Sequence, residues 1–489
     1  MSKKVIVIGS GFSGLSAACF LAKEGYDVTV LEKNDSIGGR ARKFAAEGFT
    51  FDMGPSWYWM PEVFENFFGA FGKKVSSYYD LVRLDPSYKI FFPKKEIMEV
   101  PAKQQDLYDM FEKYEKGSSA KLDTFLNEAA YKYKVGMEEF VYKPGNNLSE
   151  FADARVISSL FKLQMFSSIS KTIRRNFKND KLRQLLEFPV LFLGATPENT
   201  PALYSLMNYA DMKLGTWYPM GGMHKIIAGF ASLAKELGVK IKLNEEVSEI
   251  IIPNGQAKKV RSTGGEYECS VLVGGADYHH IEQQLLPEEH RVYSSAYWDK
   301  RVMAPSSLLF YLGVNKKLKN LDHHSLFFDA DFEKHAEEIY TKPAWPKDPL
   351  FYVCCPSMTD SSVAPEGMEN LFVLIPLAPN ITDSEAQREH YYDLVMERLE
   401  ENTGQSIRDA VIYKRSFAHR DFKKDYNSFK GNAYGLANTL MQTAFLKPKM
   451  RSKKVANLFY TGQLTTPGPG VPPSIISGEV VAKEVAKYF

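Results

Sequence analysis

The chain reads as α/β at its start and α+β overall, and three observations predict this. A strand, glycine loop, helix and second strand open it, a long glycine-poor helical stretch follows, and strand signals return across the second half. Val5-Ile6-Val7-Ile8 has the β-branched composition of a buried parallel strand. Gly9-Ser10-Gly11-Phe12-Ser13-Gly14 follows at once, Leu15 to Lys23 reads as a helix rich in Ala and Leu, and Tyr26 to Leu31 forms a second strand that stops on Glu32. In such a unit Gly9 allows the tight turn, Gly11 lets a pyrophosphate approach the backbone, and Gly14 lets the helix pack on the strand. The first-turn amides and the positive helix end stabilise the phosphate charge. Glu32, at the strand tip, is placed to accept hydrogen bonds from both ribose hydroxyls. These features together predict a Rossmann-type dinucleotide site. Met1-Ser2-Lys3-Lys4 before an apolar run has the outline of a secretory leader, but the fingerprint spacing and the lack of a small-residue cleavage site argue against one.

The 489 residues admit two or three domains with a substantial core. The 44% hydrophobic and 25% charged content is that of an ordinary soluble protein, and a net charge of +2 gives no reason to expect nucleic acid as a partner. Four scattered cysteines, Cys19, Cys269, Cys354 and Cys355, form no disulfide framework and suit a reducing cytoplasm. Cys354 and Cys355 have no second pair at metal-ligand spacing, and His279-His280 and His323-His324 lack a third ligand, so no metal is expected. No apolar run reaches the ~20 residues of a spanning helix.

Further along, Gly38-Gly39-Arg40 turns the backbone back towards the nucleotide site, and Arg40 suits a phosphate. Phe49 to Ser56 reads as a strand entering a tight turn at Gly54, followed by Trp57-Tyr58-Trp59-Met60. Residues 106–208 are predicted mostly helical. Within them Arg155 to Arg183 interleaves eight basic residues with Leu160, Phe161, Leu163, Met165, Phe166 and Ile169. Such a segment suits either a bilayer surface or a core helix with a solvated basic face. Strands are predicted at Val239–Leu243, Val247–Ile252, Val271–Val273, Leu308–Leu312, Tyr352–Cys355, Leu371–Pro376 and Leu458–Gly462, with a tight hairpin turn at Asn254-Gly255. A closing helix is predicted from Ile475 to Tyr488.

Three separated segments resemble the flavin amine oxidase-like superfamily and, within it, the bacterial-type carotenoid desaturases (phytoene desaturase family). They are Gly9 to Gly14 with Glu32 and Gly38-Gly39-Arg40; Trp217-Tyr218-Pro219-Met220-Gly221-Gly222-Met223; and Tyr460-Thr461-Gly462 through Pro467-Gly468-Pro469-Gly470-Val471-Pro472 to Gly478. The order and spacing fit over essentially the whole length. The resemblance implies non-covalent FAD, since no cysteine follows Asn457. Gly9, Ser10, Gly11, Phe12, Ser13, Gly14, Glu32, Lys33, Gly38, Gly39 and Arg40 would hold its ADP half, and Val247 would meet the adenine. Gly54, Gly462, Gln463, Gly470, Val471 and Pro472 would lie near the pyrophosphate, ribityl chain and ring. Gln463 departs from the acid or alanine common in the superfamily.

The implied architecture has a discontinuous FAD domain (1–70, 216–285, 450–489). A mixed-sheet substrate domain (71–105, 286–449) and a helical, membrane-facing region that admits substrate (106–215) complete it. The implied reaction moves a hydride from an allylic carbon to the flavin with loss of a proton; no strong base is obligatory and none is named, though His224, after the Gly-Gly pair, is a candidate that as a lone histidine is more often structural. The substrate is a long polyene, either phytoene taken towards lycopene or a hydroxylated or γ-type carotenoid desaturated at its 3,4-bond. A membrane surface, with quinone or oxygen as electron acceptor, completes the expected partners, and the expected location is the cytoplasmic face of a membrane. A flavin-dependent amine or protoporphyrinogen oxidase, and a prenyl-lipid-binding chaperone, are the competing readings of the same architecture.

Overall fold

The computed structural model describes residues 3–147, 164, 167–193 and 196–489. Five parallel strands form the nucleotide-side sheet, in the order Leu458–Tyr460, Val271–Gly274, Lys4–Ile8, Asp27–Leu31, Lys240–Lys242. Val7 lies level with Val30 on one side and Val273 on the other. This central strand is buried on both faces, which explains its unbroken β-branched run. The first helix, Phe12–Lys23, packs between the closing helix Val471–Tyr488 and the helix His224–Glu236. Small residues allow this approach: a Cβ on Gly478 would stand 2.6 Å from the Ser13 carbonyl oxygen. The Ser16 hydroxyl also donates to the Ile475 carbonyl at 2.8 Å.

A second, seven-stranded sheet runs in the order Val411–Phe417, Ser306–Val314, Glu369–Leu377, Phe351–Cys354, His324–Phe327, Tyr88–Phe92, Glu96–Val100. Only the pairing of His324–Phe327 with Tyr88–Phe92 is parallel. Side chains alternate between two buried faces. Leu308, Phe310 and Leu312 pack against Tyr391, Val395 and Leu399 of the helix Glu385–Thr403, whereas Leu309 and Tyr311 face a different apolar cluster. The signals at Leu308–Leu312 and Leu371–Pro376 are shorter than the strands Ser306–Val314 and Glu369–Leu377, whose terminal serines and asparagine are buried with the rest, and four strands of this sheet carry no signal. The antiparallel pair Val247–Ile251 and Lys259–Ser262 is joined through a 3-10 turn at Pro253–Gly255, a longer link than the two-residue hairpin predicted at Asn254-Gly255.

The helical segment contains Gln104–Tyr114, Ser118–Val135, Ile169–Asn176 and Asp180–Glu187. Ile169, Ile173, Leu182, Leu185 and Leu186 are buried in the cluster that also holds Leu309 and Tyr311. Three of the basic residues near them have acidic partners. Arg174 meets Glu333 at 2.8 Å, Arg183 meets Asp180 at 2.7 Å, and Lys181 pairs with Glu96. The described part of the basic stretch therefore turns its apolar side into the protein. Arg155, Leu160, Phe161, Lys162, Leu163, Met165 and Phe166 lie outside the described residues. Among the described residues, no helix is long and apolar enough to cross a membrane.

Candidate active site

One cavity of about 960 Å³ runs from the nucleotide-side sheet to the second sheet. At its polar end are Gly9 to Ser13, Glu32, Lys33, Gly38, Gly39, Arg40 and Val247. Gly54, Gly462, Gln463, Gly470, Val471 and Pro472 line its middle section, close to the turn that begins the closing helix. Of the residues expected to hold the cofactor, Gly14 alone is absent from the lining. A Cβ there would lie 2.1 Å from the Gly9 carbonyl oxygen, so its place is in the contact between helix and strand.

The polar end is highly organised. Glu32 is buried, and its two carboxylate oxygens divide the work. Oε2 accepts from the Ser10 amide (2.9 Å) and hydroxyl (2.7 Å), and Oε1 accepts from the Asn34 amide (3.0 Å) and side chain (2.9 Å). Gly11, at the N-cap of the first helix, would direct a Cβ into open space, leaving its backbone approachable. Arg40 donates to the Ser428 hydroxyl (3.0 Å) and the Asn432 carbonyl (3.3 Å), while its Nε is buried without a protein partner. Burial lowers the Arg40 pKa, with Asp277 acting in the opposite sense. Burial pushes Asp277 up to about 6 against the pull of Arg40 and of backbone amides. An orphaned, desolvated guanidinium nitrogen beside an approachable glycine loop and a helix N-terminus fits a diphosphate.

Sequence reasoning missed several lining residues. Asp277 and His280, at the cap and end of the short helix Tyr278–His280, and Tyr426, at the end of the helix His419–Tyr426, reach the site with no motif, and His280 Nε2 lies 3.1 Å from the Asn427 side chain. Burial, then Lys33, lowers His280 to about 4, so it is neutral near pH 7. Gln463 lines the cavity and donates to Asn432 at 3.2 Å.

Away from the nucleotide the walls are apolar. Trp57, Trp59 and Met60 face the cavity together with Leu309, Phe372 and Leu374 of the second sheet. Tyr58 does not. It turns inward, stacks on Phe64 at 4.2 Å and hydrogen-bonds Tyr79 at 3.0 Å, as alternation along an extended segment requires. The helical segment closes the far side through Met137, Val141, Leu203 and Leu206. His224 is buried beside Asp52 and lies off the cavity.

The family description "Flavin containing amine oxidoreductase" matches residues 12–486. The chain belongs to that family. Among flavin-containing amine oxidoreductases with assigned roles, it is 42% identical over 480 residues to a carotenoid 3,4-desaturase of Haloarcula japonica, covering 98% of this chain and 97% of that one. It is 30% identical over 490 residues to a zeta-carotene-forming phytoene desaturase of Myxococcus xanthus, covering 99% and 94% respectively. Its fold resembles that of an oxidoreductase from Methanosarcina mazei, with a TM-score of 0.64 at 17% identity over 98% of this chain and all of that one. The flavin cofactor and the α/β architecture expected from the sequence agree with this family.

Proposed function

We propose that this protein is an FAD-dependent carotenoid desaturase and that its substrate is a hydroxylated or γ-type carotenoid desaturated at the 3,4-bond. The observation that carries the reading is the 42% identity to the carotenoid 3,4-desaturase, sustained along nearly the full length of both chains. The cavity supports it, because an apolar chamber leads directly from a dinucleotide site.

FAD, when bound, supplies a two-electron acceptor for hydride from an allylic carbon. The residues of the chain do the rest. Glu32 would hold the ribose, and the Gly9–Ser13 loop and Arg40 would hold the diphosphate. Val247 would meet the adenine, and Gly462 to Pro472 would border the ring. Trp57, Met60, Leu309 and Leu374 bury the polyene at about 25 cal/mol per Å² of apolar surface and exclude water from it. The walls align the reacting C–H bond, and charge delocalised along a polyene relieves the site of any need for a strong base.

A polyene dissolved in a bilayer gains little by moving into an equally apolar chamber, so the chamber must open at a membrane surface. Met441 is 74% exposed and Leu446 is 37% exposed, and both lie beside Thr443 and Phe445 of the cavity wall, which supports docking at this rim. Quinone or oxygen then takes the electrons.

The test incubates the FAD-loaded protein with liposomes carrying either a γ-carotene derivative or phytoene, with a quinone, and follows products by chromatography and absorption. A longer chromophore from the γ-type substrate is expected. No product from either substrate with full flavin content refutes desaturation, and product from phytoene alone refutes the 3,4-assignment.

A further inference from the structure

Behind the cavity wall lies a buried cluster that the desaturation chemistry does not use. His324 opens the strand His324–Phe327 and pairs in register with Cys354 of the neighbouring strand, and His323 immediately precedes it. The donor atoms of His323, His324 and Cys354 all lie within 4.8 Å of one another, and all three residues are buried. Sequence spacing hid this arrangement, because the third ligand arrives through strand pairing from thirty residues away.

The imidazoles are held in one orientation. His323 Nδ1 lies 2.8 Å from the Thr359 hydroxyl, and His324 Nδ1 lies 2.6 Å from the Tyr352 hydroxyl. Both Nε2 atoms are buried without a protein partner. A buried polar atom left unpaired costs about 1–3 kcal/mol, so two adjacent ones call for an explanation. When Nδ1–H is donated to an oxygen, Nε2 presents its lone pair, which is how metal-binding histidines are oriented. Beside His323 and Cys354 is a small cavity of about 20 Å³, lined also by Asp52, Ser56 and Tyr218, with His324 just outside its lining. That is room for one small ion or one water. Asp52 fixes the amides of Met223 (2.7 Å) and His224 (2.9 Å) and contributes a carboxylate to the same space.

We infer that His323, His324 and Cys354 form a buried zinc-class metal site, with Asp52 supplying the second negative charge. Two imidazoles and one thiolate are a borderline-soft donor set suited to Zn²⁺. Ligand distances of about 2.0–2.3 Å would draw the donors to about 3.5 Å apart, an inward movement of about 1 Å. Binding displaces the Cys354 proton to solvent, and the thiolate and the Asp52 carboxylate then balance the two positive charges. The ion's place is structural. His324 stacks on Trp57 at 4.1 Å, and Tyr352 joins His324 to Ser56, so the ion would stiffen the wall formed by Trp57 and Tyr352.

The test uses the full-length flavoprotein. After treatment with a chelator, the protein is titrated with Zn²⁺, and retained metal is measured by elemental analysis beside flavin content. Co²⁺ replaces Zn²⁺ in a parallel sample, where a near-ultraviolet thiolate-to-cobalt band reports Cys354. One ion per chain with this band, lost in Cys354→Ala and in His323→Gln while FAD content is kept, is the expected result. No retained ion in the wild type, or equal retention in both variants, overturns the site. Should Cys354→Ala fail to fold, the cobalt band of the wild type decides alone. None of these readouts depends on the desaturase reading.

Discussion

Replacing Glu32 by glutamine tests the polar end of the cavity with the smallest change of shape. The carboxylate accepts four hydrogen bonds, two from Ser10 and two from Asn34. Glutamine keeps one acceptor oxygen and turns an NH₂ towards the other pair of donors. Each charge-assisted bond lost is worth about 1.5–3 kcal/mol, and reorientation of Asn34 recovers part of the deficit. A ribose held by the same carboxylate loses a comparable amount, so FAD should bind about 10- to 100-fold more weakly, at 1.4 kcal/mol per factor of ten. Titration of apoprotein with FAD, followed by flavin fluorescence, measures this directly. Ser10→Ala serves as the control. It removes one hydroxyl donor and leaves the Ser10 amide bond, and its effect should stay within about 1 kcal/mol. An affinity for Glu32→Gln within threefold of wild type refutes the assignment of the carboxylate to the ribose. An equal loss in Ser10→Ala shows instead that the loop carries the effect.

Gly14→Ala should abolish FAD retention and cost about 3 kcal/mol or more in urea unfolding, because its Cβ meets the Gly9 carbonyl oxygen at 2.1 Å and both partners are backbone. Leu309→Trp should fill the apolar chamber and remove turnover while leaving flavin content unchanged; retained turnover would place the substrate elsewhere. Asp277 gives a pH signature in the apoprotein. Its folded pKa of about 6 stands above the ordinary 3.8, so the folded state holds the extra proton. The stability it contributes is present below pH 3.8 and is lost as pH rises through 6, by about 3 kcal/mol in total. The stability of Asp277→Asn relative to wild type should therefore rise by about 2 kcal/mol between pH 4 and pH 7, and a gap independent of pH would refute this. Tyr58→Phe should cost about 1 kcal/mol for its bond to Tyr79 and leave turnover intact, since the side chain points away from the cavity.

The opening unit was legible because everything it needs is local: the turn, the helix start and the strand-tip acid fall within 28 residues. Other boundaries were not. The closing helix begins at Val471 rather than Ile475, because Pro472 and Pro473 occupy its first turn, where a missing N–H costs nothing. Tyr58 reads like its aromatic neighbours until alternation assigns it to the core. Asp277 and Tyr426 carry no local pattern, and only the return of distant helix ends brings them to Arg40. The same holds for Cys354 beside His323 and His324, which depends on a strand register that composition does not encode.

The order of strands in the nucleotide-side sheet has a consequence for synthesis. The strands Lys4–Ile8 and Asp27–Leu31 leave the ribosome early, but their outer neighbours come from residues 271–274 and 240–242, and the edge strand beyond 271–274 comes from residues 458–460. At about 5–20 residues per second, roughly 20 to 90 s pass between translation of Leu31 and of Tyr460. Until residues 240–274 follow, Val5, Val7, Val28 and Val30 lack their outer strands, and throughout the interval they lack the closing helix that helps to bury them in the finished protein. A cavity walled by both Gly9 to Ser13 and Gly462 to Pro472 is therefore complete only after residue 472 has been made, so the whole dinucleotide site exists only late in synthesis.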